Sequence, residues 1–177
     1  AGEAAGGALP VVAVVPQPRD VRVRDGALVP RGGTDTGLRR PREGPVADAN
    51  VAAFLRAYLA ENGVIATVVA PRGRCHLLLS TGSQRGIGSE GYMLVVGRGG
   101  VSMIATTPRG LFYALQTLQQ ISARSGGRLS SRAVEIVDRP AYRWRGIHLD
   151  VARHFFSVPV VERYIDVAAH YKLNVFH

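Results

Sequence analysis

Short apolar runs alternate with Gly- and Pro-rich breaks through residues 10–138, and most of these runs have the length of β-strands. Gly97–Gly100 separates two runs and predicts a β-hairpin, and Asp25-Gly26 predicts another. Two segments instead repeat apolar residues every three or four positions, which predicts amphipathic helices from about residue 50 to 62 and after Thr107-Pro108. This pattern favours an α+β domain, in which a small, mostly antiparallel sheet carries two helices on one face.

The last part of the chain, residues 139–177, follows a different order of elements. A short apolar run from Arg143 to Asp150 predicts a buried strand. Ser157 can cap a helix that has Pro159 in its first turn, and another apolar run begins at Leu173. A strand, a helix and a strand joined by a crossover of this length form a βαβ unit with parallel strands. Because the second strand has barely begun at the last residue, we expect this unit to be incomplete.

The overall composition indicates a globular protein, since 46% of the residues are hydrophobic and 20% are charged. No apolar stretch reaches the eighteen or so residues that cross a bilayer, so we expect no membrane partner. Residues 1–9 form a small, flexible N-terminus without the basic start and apolar core of a signal peptide, although a cleaved signal could precede them.

The net charge of +9 raises the possibility of a nucleic-acid partner. All but one of the 22 basic residues are arginine, and they are scattered in ones and twos along the chain. A nucleic-acid-binding protein would gather them in a stripe with interleaved aromatic residues. We therefore expect no nucleic acid, and a basic nucleic-acid-associated domain is the less favoured alternative.

Two patterns that could bind a cofactor or a metal lack the required context. Gly86–Gly91 matches G-x-G-x-x-G, but an apolar run typical of a strand follows it, whereas the dinucleotide fingerprint needs a helix there. This segment is better explained as a mobile loop. Cys75 is the only cysteine, and four histidines have irregular spacing: His148, His154, His170 and His177. We expect neither a cofactor nor a metal.

The βαβ segment carries several polar residues at fixed spacings. It contains Arg145-Gly-Ile-His-Leu-Asp-Val-Ala-Arg-His-Phe-Phe, then Tyr164-Ile-Asp, then Tyr171-Lys-Leu-Asn-Val-Phe-His177. These runs resemble the start of the catalytic barrel in family 20 glycoside hydrolases, the β-N-acetylhexosaminidases. Upstream, Thr107-Pro-Arg-Gly-Leu-Phe-Tyr-Ala-Leu-Gln-Thr-Leu resembles the last helix of the domain preceding that barrel. The resemblance implies a non-catalytic α+β domain at residues 10–138 and the first β-α-β of a (β/α)8 barrel at residues 139–177.

The resemblance also implies an activity for the intact protein. Family members remove terminal β-linked N-acetylglucosamine or N-acetylgalactosamine by retaining catalysis, in which the N-acetyl oxygen of the substrate attacks the anomeric carbon. The expected partners are N-acetylhexosamine-terminated glycans or chitooligosaccharides, and the expected location is secreted or extracytoplasmic. The adjacent Asp-Glu pair that serves this step in the family occurs nowhere in the chain, so we expect no catalytic residue here and no activity from this chain alone. A non-catalytic carbohydrate-binding or interaction module is the alternative.

The same resemblance assigns site residues. Arg145, in the Arg-Gly pair, matches an arginine that binds sugar hydroxyls. His177 matches the start of a His-x-His segment that an aspartate follows, and it is also expected to bind substrate. Asp150 with Arg153 is expected to be a buried structural ion pair and not a catalytic pair. His154 is expected either to hydrogen-bond to the wall of the pocket or to brace the loop. Barrel active sites lie at the carboxyl ends of strands, whereas Arg145 lies near the start of its predicted strand. A contact between Arg145 and the sugar therefore requires a short strand or a long side chain that reaches the carboxyl end.

Overall fold

The computed structural model describes residues 13–28, 36–39, 66–67, 77–81, 86–97, 100–125 and 128–177, with two single helical positions at 53 and 57. The N-terminus at residues 1–9, Cys75 and the rest of the helix predicted at residues 50–62 lie outside the described residues.

Most of the strands belong to one sheet. The strands before residue 139 are β1 (Asp20–Leu28), β2 (Thr36–Arg39), β3 (Ala66–Thr67), β4 (Leu77–Thr81), β5 (Tyr92–Gly97), β6 (Gly100–Ala105), β7 (Ala123–Ser125) and β8 (Arg128–Asp138). Within the described ranges these eight strands form a sheet in the order β1-β8-β5-β6-β4-β2-β3, and β7 pairs with β8.

This sheet is mixed. Its larger part, from β1 through β8 and β5 to β6, is antiparallel, and the predicted hairpin at Gly97–Gly100 joins β5 to β6. The pairs from β6 through β4 and β2 to β3 are parallel, which the sequence pattern did not predict. β6 therefore lies between β5, to which it is antiparallel, and β4, to which it is parallel. The α+β class is confirmed.

The hairpin predicted at Asp25-Gly26 is wrong. Residues 20–28 form one strand, β1, which pairs antiparallel with β8 on both sides of these two residues. The register shifts between Val23 and Ala27, and Gly26 has a φ of 110°, which only glycine adopts without strain. Asp25-Gly26 therefore forms a β-bulge, an irregularity that uses the same residue types as a tight turn.

The core lies between this sheet and helix α1 (Pro108–Ile121). Pro108 opens the helix, as predicted, and Leu111, Leu115, Leu118 and Ile121 on its buried face pack in one cluster with strand residues such as Leu94, Met103 and Ile136. Each fully buried aliphatic side chain of this kind contributes roughly 1.5–3 kcal/mol. The apolar period of the helix thus determines which face covers the sheet.

The second unit is strand β9 (Gly146–Ile147), helix α2 (Val158–His170) and strand β10 (Val175–Phe176). β10 pairs with β9 in parallel, as predicted, but β9 is much shorter than the predicted Arg143–Asp150 strand. Apolar side chains remain exposed on this unit, among them Trp144 at 75%. Neither helix in the described part of the chain has the length and hydropathy of a membrane span.

Candidate functional site

Four of the five predicted site residues follow the two parallel strands. Asp150, Arg153 and His154 come after β9, and His177 comes directly after β10. The backbone N–H of His177 donates to the Ile147 carbonyl oxygen at 3.0 Å, and the N–H of Leu149 donates to the His177 carbonyl oxygen at 2.8 Å. Because the strands are parallel, their carboxyl ends meet at one edge, and these four residues follow the strands at that edge.

A pair of histidines occupies this edge. The Nδ1 atoms of His148 and His177 lie 2.7 Å apart, and their rings are stacked with centroids 4.8 Å apart. A hydrogen bond between two imidazole nitrogens needs one donor and one acceptor, so the tautomers of the two rings are coupled. Together with Trp144 and Phe176 they line an open cleft of about 640 Å³. Exposed aromatic rings beside hydrogen-bonding groups suit a carbohydrate ligand.

His148 was considered in the sequence only as a metal ligand. The predicted strand ran to Asp150 and so included His148, whereas β9 ends at Ile147 and His148 lies directly after it, at this edge. Among the described residues, no group of three or more His, Cys, Asp and Glu side chains could hold a metal ion.

Asp150 and Arg153 form the expected ion pair, with Arg153 Nε 3.3 Å from Asp150 Oδ2. The expectation that this pair is buried is wrong, because the side chains are 90% exposed for Arg153 and 41% exposed for Asp150. Asp150 Oδ1 also accepts the backbone N–H groups of Ala152 and Arg153 at 3.0 and 3.3 Å. Asp150 therefore shapes the turn after β9, and an ion pair this exposed contributes at most about 1 kcal/mol.

His154 lies in the same turn. Its ring meets that of Phe156 edge to face, with centroids 5.1 Å apart. This contact holds the imidazole against its own loop, and the prediction that His154 braces this loop stays a prediction.

Arg145 lies away from this edge, ahead of β9, and its side chain is only 11% exposed. Its Nη1 donates to the Glu90 carboxylate at 3.0 Å and to the Tyr142 carbonyl oxygen at 2.7 Å. Its Nε donates to the Lys172 carbonyl oxygen at 2.8 Å, and its Nη2 donates to the Tyr113 hydroxyl at 3.1 Å. Four of its five N–H groups are thus used within the chain. These contacts assign Arg145 to joining the two units, and its predicted contact with sugar stays a prediction.

Glu90 reaches Arg145 from the glycine-rich segment at residues 86–91. Its other carboxylate oxygen lies 3.2 Å from Arg109 Nη1. Burial acts to raise the pKa of the Glu90 carboxyl, but the hydrogen bond and charge of Arg145 and the hydrogen bond of Arg109 outweigh burial, so this pKa lies below its ordinary value. The Thr107 hydroxyl donates to the Ser89 carbonyl oxygen of this segment at 2.5 Å, and the expectation of a mobile loop stays a prediction.

A second contact between the units is made by Lys172, just after α2. Its amine is buried and donates to the Tyr92 hydroxyl at 2.9 Å, and it lies 3.5 Å from Asp138 Oδ2. The Tyr92 hydroxyl donates to Asp138 at 3.0 Å and lies 2.5 Å from the Thr117 hydroxyl. Burial lowers the pKa of the Lys172 amine, and the Asp138 carboxylate offsets only part of this effect.

We call these six residues, Glu90, Tyr92, Tyr113, Asp138, Arg145 and Lys172, the seam. The sequence did not reveal the seam, although Lys172 is the only lysine in an arginine-rich chain.

Two family models match the chain. One, described as glycosyl hydrolase family 20, domain 2, matches residues 11–139, and the other, described as glycosyl hydrolase family 20, catalytic domain, matches residues 142–177.

Curated relatives carry related names. The chain is 45% identical over 91 residues to a β-N-acetylhexosaminidase from Cellulomonas fimi, a match that covers 51% of this chain and 18% of that protein. It is 42% identical over 95 residues to a β-hexosaminidase from Porphyromonas gingivalis, covering 50% of this chain and 12% of the relative. The matches thus span about a fifth or less of these relatives.

Solved structures share the fold over almost the whole chain. The family 20 β-N-acetylhexosaminidase from Streptomyces coelicolor A3(2) superposes with a TM-score of 0.78 at 33% identity, covering 93% of this chain and 34% of that one. The family 20 exo-β-N-acetylglucosaminidase from Vibrio harveyi in complex with N-acetylglucosamine gives 0.76 at 26% identity, covering 93% and 25%.

Proposed function

The chain belongs to glycosyl hydrolase family 20, and we propose that it forms part of an exo-acting β-N-acetylhexosaminidase. The enzyme removes terminal β-linked N-acetylglucosamine or N-acetylgalactosamine from glycans or chitooligosaccharides. The names of the relatives support this activity, and so does the V. harveyi complex with N-acetylglucosamine. The observation in this chain that carries the proposal is the pair His148 and His177 at the carboxyl ends of β9 and β10, which line a cleft together with Trp144 and Phe176.

In this proposal β9, α2 and β10 are the first β-α-β of a (β/α)8 barrel. Such barrels bind substrate at the carboxyl ends of their strands. The parallel pairing of β9 with β10 and the match of residues 142–177 to the catalytic-domain model both support this assignment.

The residues at this edge have different roles, which depend on whether their N–H groups are already used in contacts within the chain. His177 and the exposed guanidinium of Arg153 face the sugar hydroxyls, for which imidazole and guanidinium N–H groups are suitable donors. Asp150 shapes the turn that carries Arg153. Arg145 retains one unused N–H for a sugar contact, and its main contribution is to hold β9 against the first domain.

The reaction is substrate-assisted, with the N-acetyl oxygen as nucleophile. It needs an acid for the leaving oxygen and a group that orients the acetamide, and the family uses an adjacent Asp-Glu pair for these tasks. The 177 residues contain no such pair, so this chain alone does not hydrolyse substrate. We place the enzyme outside the cytoplasm, where such glycans occur, and fractionation of the source cells followed by immunoblotting tests this.

The decisive experiment is to read the coding sequence beyond His177 and to assay the protein that it encodes. We expect that protein to hydrolyse an aryl N-acetyl-β-glucosaminide and to leave the aryl β-glucoside intact, since only the former has the acetamide. The 177-residue chain should hydrolyse neither. A stop codon directly after His177, or equal hydrolysis of both substrates, would sink the proposal. A stop codon combined with retention of the chain on chitin would favour a carbohydrate-binding module.

A further inference from the structure

A cavity of about 450 Å³ lies in the seam between the first domain and the βαβ unit. Its volume falls within the range of small-molecule sites, and contacts between domains are a common place for them. The segment Pro16–Arg19 borders it on one side, and Arg139–Tyr142 borders it on another. Seam residues complete the wall: Glu90, Tyr92, Tyr113, Asp138, Arg145 and Lys172.

Five residues in the wall of this cavity carry rings. Tyr92, Tyr113 and Tyr142 contribute aromatic rings, and Pro16 and Pro140 contribute pyrrolidine rings. Tyr92 and Tyr113 are buried, and Lys172 and Arg145 already lie over their rings. The exposed ring of Tyr142 and the two prolines remain, and they suit a flat or ring-shaped ligand whose faces pack against them while its polar groups stay at the edge.

The two carboxylates in the wall are already paired. Glu90 lies between Arg145 and Arg109, at 3.0 and 3.2 Å, and Asp138 pairs with Lys172 at 3.5 Å. A cationic ligand would therefore compete with cations that the chain already places there. Neither carboxylate is available to recognise a positive charge.

Two arginines in the wall have no carboxylate partner among the described residues. The Nε of Arg19 donates to the Arg139 carbonyl oxygen at 3.3 Å, and the Nη1 of Arg139 donates to the Gly86 carbonyl oxygen at 3.0 Å. The other guanidinium N–H groups of both side chains remain available. Two positive charges without a carboxylate partner in the wall of one cavity attract an anion, and a guanidinium matches the fork of a carboxylate.

We propose that the seam cavity binds a small organic acid in which a carboxylate is attached to a six-membered ring. The ring packs against Tyr142 and the two prolines, and the carboxylate pairs with Arg19 and Arg139. This site is independent of the glycosidase activity proposed above. Aromatic acids and acidic sugars such as uronates share this chemistry.

Matched pairs of probes test the proposal on the unaltered chain. Equilibrium dialysis would compare phenylacetate with phenylacetamide, and glucuronate with glucose, at constant ionic strength. We expect at least one acid to bind saturably and about tenfold more tightly than its neutral counterpart, as for a charge-assisted contact. Preference for phenylacetate identifies aromatic acids as the ligand class, and preference for glucuronate identifies acidic sugars. Equal affinity within both pairs, or no saturable binding at millimolar ligand, overturns the proposal.

A charge-matched pair of double variants locates the site. Arg19→Gln/Arg139→Gln removes both unpaired guanidinium groups, while their backbone N–H groups still bind Asp138. Arg143→Gln/Arg163→Gln removes the same charge from two exposed arginines outside the cavity wall. We expect the first variant to lose about tenfold in acid affinity and the second to change less than about twofold. An equal loss in both variants would show that only net charge matters and would exclude the site.

Discussion

The guanidinium of Arg145 lies 3.0 Å from the carboxylate of Glu90, although 55 residues separate them in the chain. Both side chains are nearly buried, with exposures of 11% and 12%. Removing one partner of such a pair leaves an uncompensated charge, which costs more than the pair contributes. The orientation of β9 against the first domain therefore depends on a residue in the glycine-rich segment before β5.

The pH dependence of stability reports on Glu90. Its pKa in the folded chain lies below the ordinary 4.5, so its contribution to stability is complete above about pH 4.5 and is lost as pH falls through the lowered value. We expect Glu90→Gln to be less stable than the unaltered chain at pH 6 and to show a shallower loss of stability from pH 5 to pH 3. Urea unfolding at each pH measures this difference. Glu162→Gln, at an exposed position on α2, is the control, and identical slopes for all three proteins would contradict the prediction.

Replacement of the buried Lys172 removes the second contact between the two units. Lys172→Met keeps the apolar stem but leaves the Asp138 carboxylate without its cation, so we expect the free energy of unfolding to fall by about 3 kcal/mol. Asp138 retains the backbone N–H groups of Arg19 and Arg139, so the fold should persist. Thermal denaturation followed by circular dichroism measures the loss. Arg163→Met on the exposed surface of α2 should change stability by less than about 0.5 kcal/mol.

The double variant Lys172→Met/Asp138→Asn distinguishes a true pair from two independent residues. When the charge of Asp138 is also removed, part of the lost stability should return, so the double variant should be more stable than the sum of the single effects predicts. Strict additivity would show that the amine and the carboxylate do not interact.

The rate at which the Lys172 amine is acylated measures directly how readily the seam opens. Lys172 is the only lysine, so an acylating reagent can modify only this side chain and the α-amino group. Burial makes access, and not protonation, the limiting step, and we expect Lys172 in the folded chain to react at least about tenfold more slowly than in urea. Peptide mapping by mass spectrometry measures the two rates. Labelling of Lys172 as fast in buffer as in urea would mean that the seam is open in solution.

The close approach of α1 to the glycine-rich segment can be tested at Gly110. A Cβ at this position would collide with the Gly91 carbonyl oxygen and the Ala105 side chain. Alanine ordinarily stabilises a helix relative to glycine, yet we expect Gly110→Ala to destabilise the chain by about 2 kcal/mol. Gly97→Ala is the matched control, because a Cβ there meets nothing within 4 Å. Melting temperatures of the two variants give the comparison, and a stabilised Gly110→Ala would refute the contact.

Elements that depend on local sequence were predictable. The apolar period and Pro108 predicted α1, Ser157 with Pro159 predicted α2, and Gly97–Gly100 predicted the hairpin between β5 and β6. Each of these depends on residues within one helix or one turn. The hairpin prediction at Asp25-Gly26 failed because a bulge and a hairpin turn require the same backbone freedom. Only the pairing with the partner strand β8 distinguishes them.

The seam was not predictable, because its partners lie far apart in the chain. Lys172 and Tyr92 are 80 residues apart, and each looks like an ordinary surface or core residue in its own segment. The Arg-Gly motif predicted that Arg145 binds sugar hydroxyls, but the motif does not determine the residue at which the strand begins. Because β9 starts only at Gly146, the Arg145 side chain lies before the strand and reaches the first domain.

The pairing of β1 with β8 joins the beginning of the first domain to its end. During synthesis β1 leaves the ribosome before most of the domain has been made. Its partner β8 appears only when nearly the whole domain is complete, and synthesis adds about 5–20 residues each second. For that interval β1 carries unpaired N–H and carbonyl groups, as any edge strand does. Charged side chains along an edge strand oppose pairing with other chains, and β1 carries Arg22 and Arg24. In the finished sheet Arg22 pairs with Asp20 and Arg24 pairs with Glu135 of β8, a residue that is made only at the end of that interval.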